Sequence, residues 1–227
     1  LGVIGDTLEE IAQTKSGIIK PGCKVVSARQ EKSVSQILRE KAEKYNCSYT
    51  EATQEELQVV SEDYKSMRVN YKEFRNLRSS LTGAHQRANL ATALETIMAL
   101  KKSGYQIPEE AVREGIAESV WIGRFTCLME SPVFMIDGAH NEDAAYRLKE
   151  SVETYFADKE LILIMGVFKD KEYEEIASIL CPLARSVYTV DLPNKERTLS
   201  AIGLAETVSK YCGQVKAETE IKNAVED

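Results

Sequence analysis

Apolar positions along the chain fall into two regimes. In the first half they recur at helical spacing. Leu8, Ile11 and Ala12 form one short stripe, Val34, Ile37, Leu38 and Ala42 a second, and Leu90, Ala91, Leu94, Ile97 and Met98 a longer third. Recurrence at three- and four-residue intervals predicts amphipathic helices. The first is announced by Thr7 and Glu10, whose T-x-x-E spacing makes a capping box, and Gly17 is placed to end it. Ile18 and Ile19 lead to a Pro21-Gly22 turn, after which Lys24-Val25-Val26-Ser27 reads as a strand. The second helix is expected from Ser33 to Lys44 and the third from Arg87 to Lys102. Pro108 sits just inside the start of a fourth that runs to about Ser119. The polar, loosely alternating stretch between Ser48 and Leu81 predicts short strands and loops.

The second half is patterned differently. Val133-Phe134-Met135-Ile136, Leu161-Ile162-Leu163-Ile164-Met165 and Val187-Tyr188-Thr189-Val190 are apolar runs without strong alternation, separated by helical patterns at Asn141–Phe156 and Lys171–Leu183. Strands covered on both faces and spaced by crossover helices predict a parallel sheet with right-handed connections. The fold class is therefore α/β, with a Rossmann-like second domain built on a mainly parallel sheet. The change of pattern near Trp121 divides the chain into domains at residues 1–121 and 122–227. The second is expected to be truncated, because a further strand and helix should follow Lys216.

Composition narrows the picture only a little. The 227 residues are 43% hydrophobic and 29% charged, ordinary for a globular protein. No apolar run approaches the ~20 residues that span a bilayer, so no membrane association is expected. The opening LGVIGDTLEEIAQTK lacks a basic segment followed by an apolar one, which predicts no secretory signal, and without an initiator Met it reads as a fragment. A formal charge of −7 argues against nucleic acid as a partner. The five cysteines, Cys23, Cys47, Cys127, Cys181 and Cys212, are scattered without a CxxC pair. They read as buried free thiols of a cytoplasmic protein rather than as disulfides or a zinc site.

Four places could carry chemistry. Positions 8, 11, 12 and 15 share one helical face, which would turn Lys15 toward the apolar side. A buried amine is pushed toward its neutral form, which can take up carbon dioxide as a carbamate. The alternative is a last-turn lysine with its stem along the core and its charge near the helix C-terminus. The second place is Asp137-Gly138-Ala139-His140-Asn141, a turn between an apolar strand and a helix that Asn141 can cap. Ligands bind outside the carboxyl ends of strands in open parallel sheets. There Gly138 would allow close approach, Asp137 could accept from sugar hydroxyls and His140 could donate to phosphate. The alternative is an ordinary capped turn.

The third place is Gly83-Ala84-His85-Gln86-Arg87-Ala88-Asn89, which opens the long helix and holds the other of two histidines. Asn89 is expected in its first turn, as a nucleotide contact or as a mere capping residue. Arg124, after the flexible Gly123, is placed at the domain junction to reach phosphates, with a solvated surface arginine as the alternative. The sequence has no G-x-x-x-x-G-K-[ST] loop, no G-x-G-x-x-G and no G-x-S-x-G. The residues alone thus reach a two-domain α/β protein that binds a nucleotide at a domain junction.

Read together, the segments resemble one family. Gly5-Asp6-Thr7-Leu8-Glu9-Glu10-Ile11-Ala12 with Lys15-Ser16-Gly17-Ile18-Ile19-Lys20-Pro21-Gly22 is similar to the stretch downstream of the metal-binding Asp-His of folylpolyglutamate and dihydrofolate synthases. Leu81 to Gln86 with Asn89 resembles their L-x-G-x-H-Q-x-x-N element. Trp121-Ile122-Gly123-Arg124-Phe125 resembles their W-P-G-R-F/L linker, Asp137 to Asn141 their D-G-A-H-N turn, and Gly166 to Lys171 their G-x-x-x-D-K element. The resemblances come in family order over most of the chain.

What this implies is a Mur-ligase-like chain: the later part of a central ATP-binding domain without its P-loop, then the C-terminal domain. It also implies an ATP-dependent carbon–nitrogen ligase that joins L-glutamate to a folate or dihydropteroate carboxylate through an acyl phosphate. The implied cofactors are ATP and Mg2+, with K+ a further candidate ion, and the implied molecule is a cytoplasmic monomer. Lys15 matches the carbamylated, magnesium-organising lysine. Asn89, Arg124, Asp137 and His140 match nucleotide-binding positions. Ile122 stands where the linker has proline, and Glu172 follows Lys171 where a second Asp is frequent. The P-loop and remaining metal ligands would lie upstream of Leu1, so this polypeptide alone is expected not to turn over. The alternatives are another Mur-type amino-acid ligase and a non-catalytic nucleotide-binding module.

Overall fold

The computed structural model describes residues 4–227, which form two compact units that divide between Val120 and Trp121. Helix α1 (Leu8–Ser16) starts where the sequence predicts, since the Thr7 hydroxyl accepts from the Glu10 N–H at 3.1 Å. The Glu10 carboxylate reaches back past the cap and accepts from the Asp6 N–H at 2.8 Å, one residue before the donor of a strict capping box. Strands β1 (Lys24–Ala28) and β2 (Ser48–Ala52) pair in parallel across helix α2 (Lys32–Lys44). Strands β3 (Leu57–Glu62), β4 (Met67–Tyr71) and β5 (Phe74–Ser79) form an antiparallel meander. Helix α3 (Ala84–Lys102) and the shorter α4 (Glu109–Ala117) complete the unit, with Pro108 flanking α4 rather than inside it.

The core explains why the polar stretch 48–81 is sheet. Met67, Val69 and Tyr71 alternate inward from β4 and meet Phe74 and Leu77 of β5 and Leu94 of α3, all fully buried. The polar residues between them face water, and bulges at Val59/Ser61 and Val69/Tyr71 interrupt the period. Glu95 is buried among these side chains and is satisfied there. It accepts from the Tyr71 hydroxyl at 2.8 Å and pairs with Lys72. Burial and the Glu95 carboxylate push the Tyr71 phenol above its ordinary range.

The second unit opens with a hairpin of β6 (Thr126–Glu130) and β7 (Val133–Ile136), antiparallel through the Ser131-Pro132 turn. This corrects the expectation that Val133–Ile136 lies in the parallel sheet. Two residues suffice only to reverse the chain, so the preceding segment takes the hydrogen bonds. Helix α5 (Glu142–Phe156) leads to β8 (Leu161–Met165), α6 (Tyr173–Leu180) to β9 (Ala184–Val190), and α7 (Ala201–Val208) to β10 (Val215–Glu218). These strands form an all-parallel sheet ordered β10-β9-β8, and α8 (Ile221–Glu226) follows. Lys216 lies inside β10. Val187, Ile176, Leu204 and Val208 fill the core together with the buried Cys181 and Cys212. Cys23, Cys47 and Cys127 are only half-buried, so the expectation of buried thiols holds for two of the five. Among the described residues no helix is long and apolar enough to cross a membrane.

Candidate functional site

The richest corner of the second unit forms where the 121–125 turn meets the turn after β7. Gly123 has φ +82° and Phe125 φ +47°, the latter a left-handed conformation that costs an aromatic residue energy. Three interactions hold it. The Phe125 N–H donates to Asp137 Oδ2 at 2.7 Å, the Gly138 N–H donates to the Gly123 carbonyl at 2.8 Å, and the Phe125 ring is buried against Tyr155 and Phe156 of α5. With both neighbours fixed, Arg124 is left exposed at the tip of the turn. Its Nη1 would lie 3.1 Å from a Cβ at position 138, and the Gly123 carbonyl 3.2 Å from it. Glycine at 138 therefore admits both the turn and the guanidinium. Among the described residues Arg124 has no carboxylate partner, which leaves its five donors available to an anion.

Asp137 is half-buried and is used by the backbone, its Oδ2 accepting from Phe125 and its Oδ1 from Ala139 at 2.8 Å. The carboxylate thus ties the two turns together, a role that spacing could not reveal. Asp137→Ala should leave both N–H groups without their acceptor and destabilise the second unit by about 1–3 kcal/mol. Urea unfolding reads this as a lower midpoint, and hydrogen exchange should show lost protection at Phe125 and Ala139; unchanged protection at both would refute the linchpin role. His140 is exposed, and its Nδ1 lies 2.9 Å from the Gly138 carbonyl. When Nδ1 carries the proton it donates there, and Nε2 is the ring atom left for a ligand.

Asn141 caps α5 as the sequence predicts, accepting from the Ala144 N–H at 2.9 Å. Glu172 adds a second cap from a distant loop, accepting from the Glu142 N–H at 2.8 Å. An acidic side chain already occupies part of this helix N-terminus, so anion contact at the corner falls to Arg124 and His140. Glu172 joins the corner to the Gly166–Lys171 loop, which Arg197 braces. Arg197 pairs with both oxygens of Asp170 at 3.0 Å and lies 4.5 Å over the Phe168 ring. The guanidinium holds the Asp170 carboxyl below its ordinary range. The sequence offered no signal for Arg197, which is 27 residues from Asp170.

The other two predicted residues lie in the first unit, and both readings need correction. Lys15 is exposed, not turned inward. The buried residues of α1 are Ala12 and Ser16, continued by Ile19, while Leu8 is 57% exposed. The inward face thus runs through 12 and 16, and at ~100° per residue Lys15 lies ~60° from Ala12 and ~100° from Ser16. Lys15 has no carboxylate partner among the described residues. Asn89 is exposed in the second turn of α3 rather than the first, its Nδ2 donating to Gln86 Oε1 at 3.0 Å. Gln86 is buried, and its Nε2 lies 3.0 Å from His85 Nε2. The structure thus brings Arg124, Asp137 and His140 together and leaves Lys15 and Asn89 in the other unit. Among the described residues no group of three or more His, Cys, Asp or Glu gathers. These residues alone do not fit a magnesium site.

The parallel sheet with its capped turns is an α/β architecture shared with known proteins. Residues 123–227 match the Mur ligase, glutamate ligase domain. Beyond that domain, the chain is similar to a C-terminal portion of folylpolyglutamate and dihydrofolate synthases. It is 31% identical over 195 residues to the dihydrofolate synthase/folylpolyglutamate synthase of Bacillus subtilis, covering 83% of this chain and 45% of that protein. It is 26% identical over 207 residues to the folylpolyglutamate synthase of Lacticaseibacillus casei, covering 88% and 48%. The chain therefore spans about half the length of these relatives. The crystal structure of folylpolyglutamate synthase from Thermotoga maritima superimposes with a TM-score of 0.86 at 27% identity, over 97% of this chain and 53% of that one. The Mycobacterium tuberculosis folylpolyglutamate synthase complexed with ADP and AMPPCP has the same fold, with a TM-score of 0.83 at 24% identity.

Proposed function

We propose that this chain is part of an ATP-dependent ligase that adds L-glutamate to a folate or dihydropteroate carboxylate. The observation that carries the reading is the exposed Arg124, without a carboxylate partner among the described residues, held over Gly138 by a strained turn with three braces. Strain of this kind persists where surrounding contacts over-determine it, and it clusters at functional sites. Relatives named as folylpolyglutamate and dihydrofolate synthases support the substrate class, and neighbours complexed with ADP support a nucleotide at such a fold.

In this reading a carboxylate oxygen of the acceptor attacks the γ-phosphorus of ATP, and ADP departs. The nitrogen of L-glutamate then attacks the acyl carbon, and the tetrahedral intermediate collapses to an amide and inorganic phosphate. Arg124 binds phosphate oxygens and holds them as charge shifts. Asp137 keeps Arg124 in place through Phe125, and His140 offers Nε2 to the nucleotide. Lys15, accessible on α1, is the carbamate position that the resemblance implies: its nitrogen bonds to the carbon of carbon dioxide, a proton leaves to solvent, and the side chain becomes an anion of the phosphate-side machinery. Asn89 contributes its amide on the nucleotide side. This chemistry proceeds in the cytoplasm.

The test is an assay of the full gene product with ATP, radiolabelled L-glutamate and each acceptor in turn: dihydropteroate, mono- and polyglutamylated folates, and a muramyl-peptide acceptor. Acceptor-dependent glutamate incorporation with the pteroate compounds is expected. Incorporation only with the muramyl peptide would assign another Mur-type ligase, and none with any acceptor would overturn the reading.

A further inference from the structure

One pair of side chains in the first unit lies outside all of this. Cys23 immediately precedes β1 and Cys47 immediately precedes β2. Because Lys24 pairs with Ser48 in parallel register, the two cysteines stand side by side one step before the first paired residues. Neighbouring strands run ~4.8 Å apart, within the ~4.4–6.8 Å between Cα atoms that a disulfide spans. The side chains already face each other, with Sγ atoms 3.5 Å apart. Both residues are half-buried and lie at the end of the sheet, so a small oxidant can reach them. A disulfide would bring these sulfurs from 3.5 Å to ~2.05 Å.

We propose that Cys23 and Cys47 are a redox-sensitive pair that forms a reversible disulfide when the protein meets a peroxide. One thiolate attacks a peroxide oxygen, the O–O bond breaks, and a sulfenic acid and water result. The second thiol then attacks that sulfur, the S–S bond forms, and the hydroxyl leaves as a second water. Two thiols and one hydrogen peroxide give one disulfide and two waters. The other cysteines are placed differently. Cys181 and Cys212 are buried in the second unit's core, out of reach of an oxidant in solution, whereas Cys23 and Cys47 are only half-buried. Cys127 lies on β6 and donates to the Met129 carbonyl.

The linkage would act on a specific piece of backbone. In the reduced chain the Cys47 thiol donates to the Lys20 carbonyl at 3.0 Å, and the Gly22 N–H donates to the Tyr45 carbonyl at 3.2 Å. Both bonds fasten the turn that follows α1, the helix of Lys15. Oxidation removes the S–H donor, frees the Lys20 carbonyl and replaces a weak tie with a covalent one next to it. The pair thus couples oxidant exposure to the anchorage of the Lys15 helix.

The test uses the full chain, natively folded and titrated with hydrogen peroxide, then alkylated and digested without reduction. A peptide pair joined through Cys23 and Cys47, lighter than the reduced pair by two hydrogens and released by dithiothreitol, is expected. Cys23→Ser and Cys47→Ser should each lose it, and Cys127→Ser should keep it. Recovery of both cysteines as free or over-oxidised species, or linkage of either to Cys127, Cys181 or Cys212, would overturn the proposal. This readout needs no ligase activity, so it stands or falls separately from the proposed reaction.

Discussion

Replacing Lys15 with Ala is expected to abolish most glutamate ligation by the protein that carries this chain while leaving the first unit folded. The fold should survive because Lys15 is exposed and makes no ion pair among the described residues, whereas α1 is anchored by the buried Ala12 and Ser16. The activity should fall because electrostatic positioning is most of what phosphoryl transfer requires of a protein, and removing the amine removes the anion it would become. Circular dichroism should be unchanged and turnover close to background. Partial recovery by a short-chain carboxylic acid added to the Ala variant would identify the lost group as an anion. Near-normal turnover without rescue would rule the carbamate out.

Arg124→Ala should weaken ATP use by about 1.5–3 kcal/mol, the range for a hydrogen bond to a charged group. That is roughly a ten- to hundred-fold loss in kcat/KM for ATP. Loss confined to KM would place Arg124 on phosphates equally in ground and transition states, and loss in kcat would place it on charge that develops during transfer. Arg124→Lys should recover little, since one ammonium cannot replace a planar fork. An ATP dependence identical to the wild type would remove Arg124 from the site. The companion change Asp137→Ala should mimic part of this loss indirectly, because it releases the turn that presents the guanidinium.

How far the sequence could be read depended on the range of the interactions involved. Helices α1, α2, α3 and α5 were legible because their stripes and caps are local: Thr7 and Asn141 both cap where they were expected to. The apolar runs of β8 and β9 were legible because covered strands need no alternation. The meander of β3, β4 and β5 was obscured by bulges, and the partner of β7 by the weak apolar character of Thr126–Glu130. At the site, the turn 137–141 stood out because a glycine and one of the chain's two histidines follow an apolar strand there. The bracing by Phe125, Glu172 and Arg197 did not, because each acts through a contact 12 to 30 residues away. Lys15 was misoriented because a four-residue stripe on a nine-residue helix allows two inward faces, and packing chose the one through Ser16.

The proposed chemistry makes one atom traceable. If the acceptor carboxylate is activated as an acyl phosphate, the oxygen that bridged carbon and phosphorus leaves with the phosphate. An acceptor labelled with oxygen-18 in the reacting carboxylate should therefore deliver one labelled oxygen to inorganic phosphate for each amide formed, detectable by mass spectrometry or phosphorus NMR. Unlabelled phosphate alongside amide formation, or label appearing in AMP, would contradict the account.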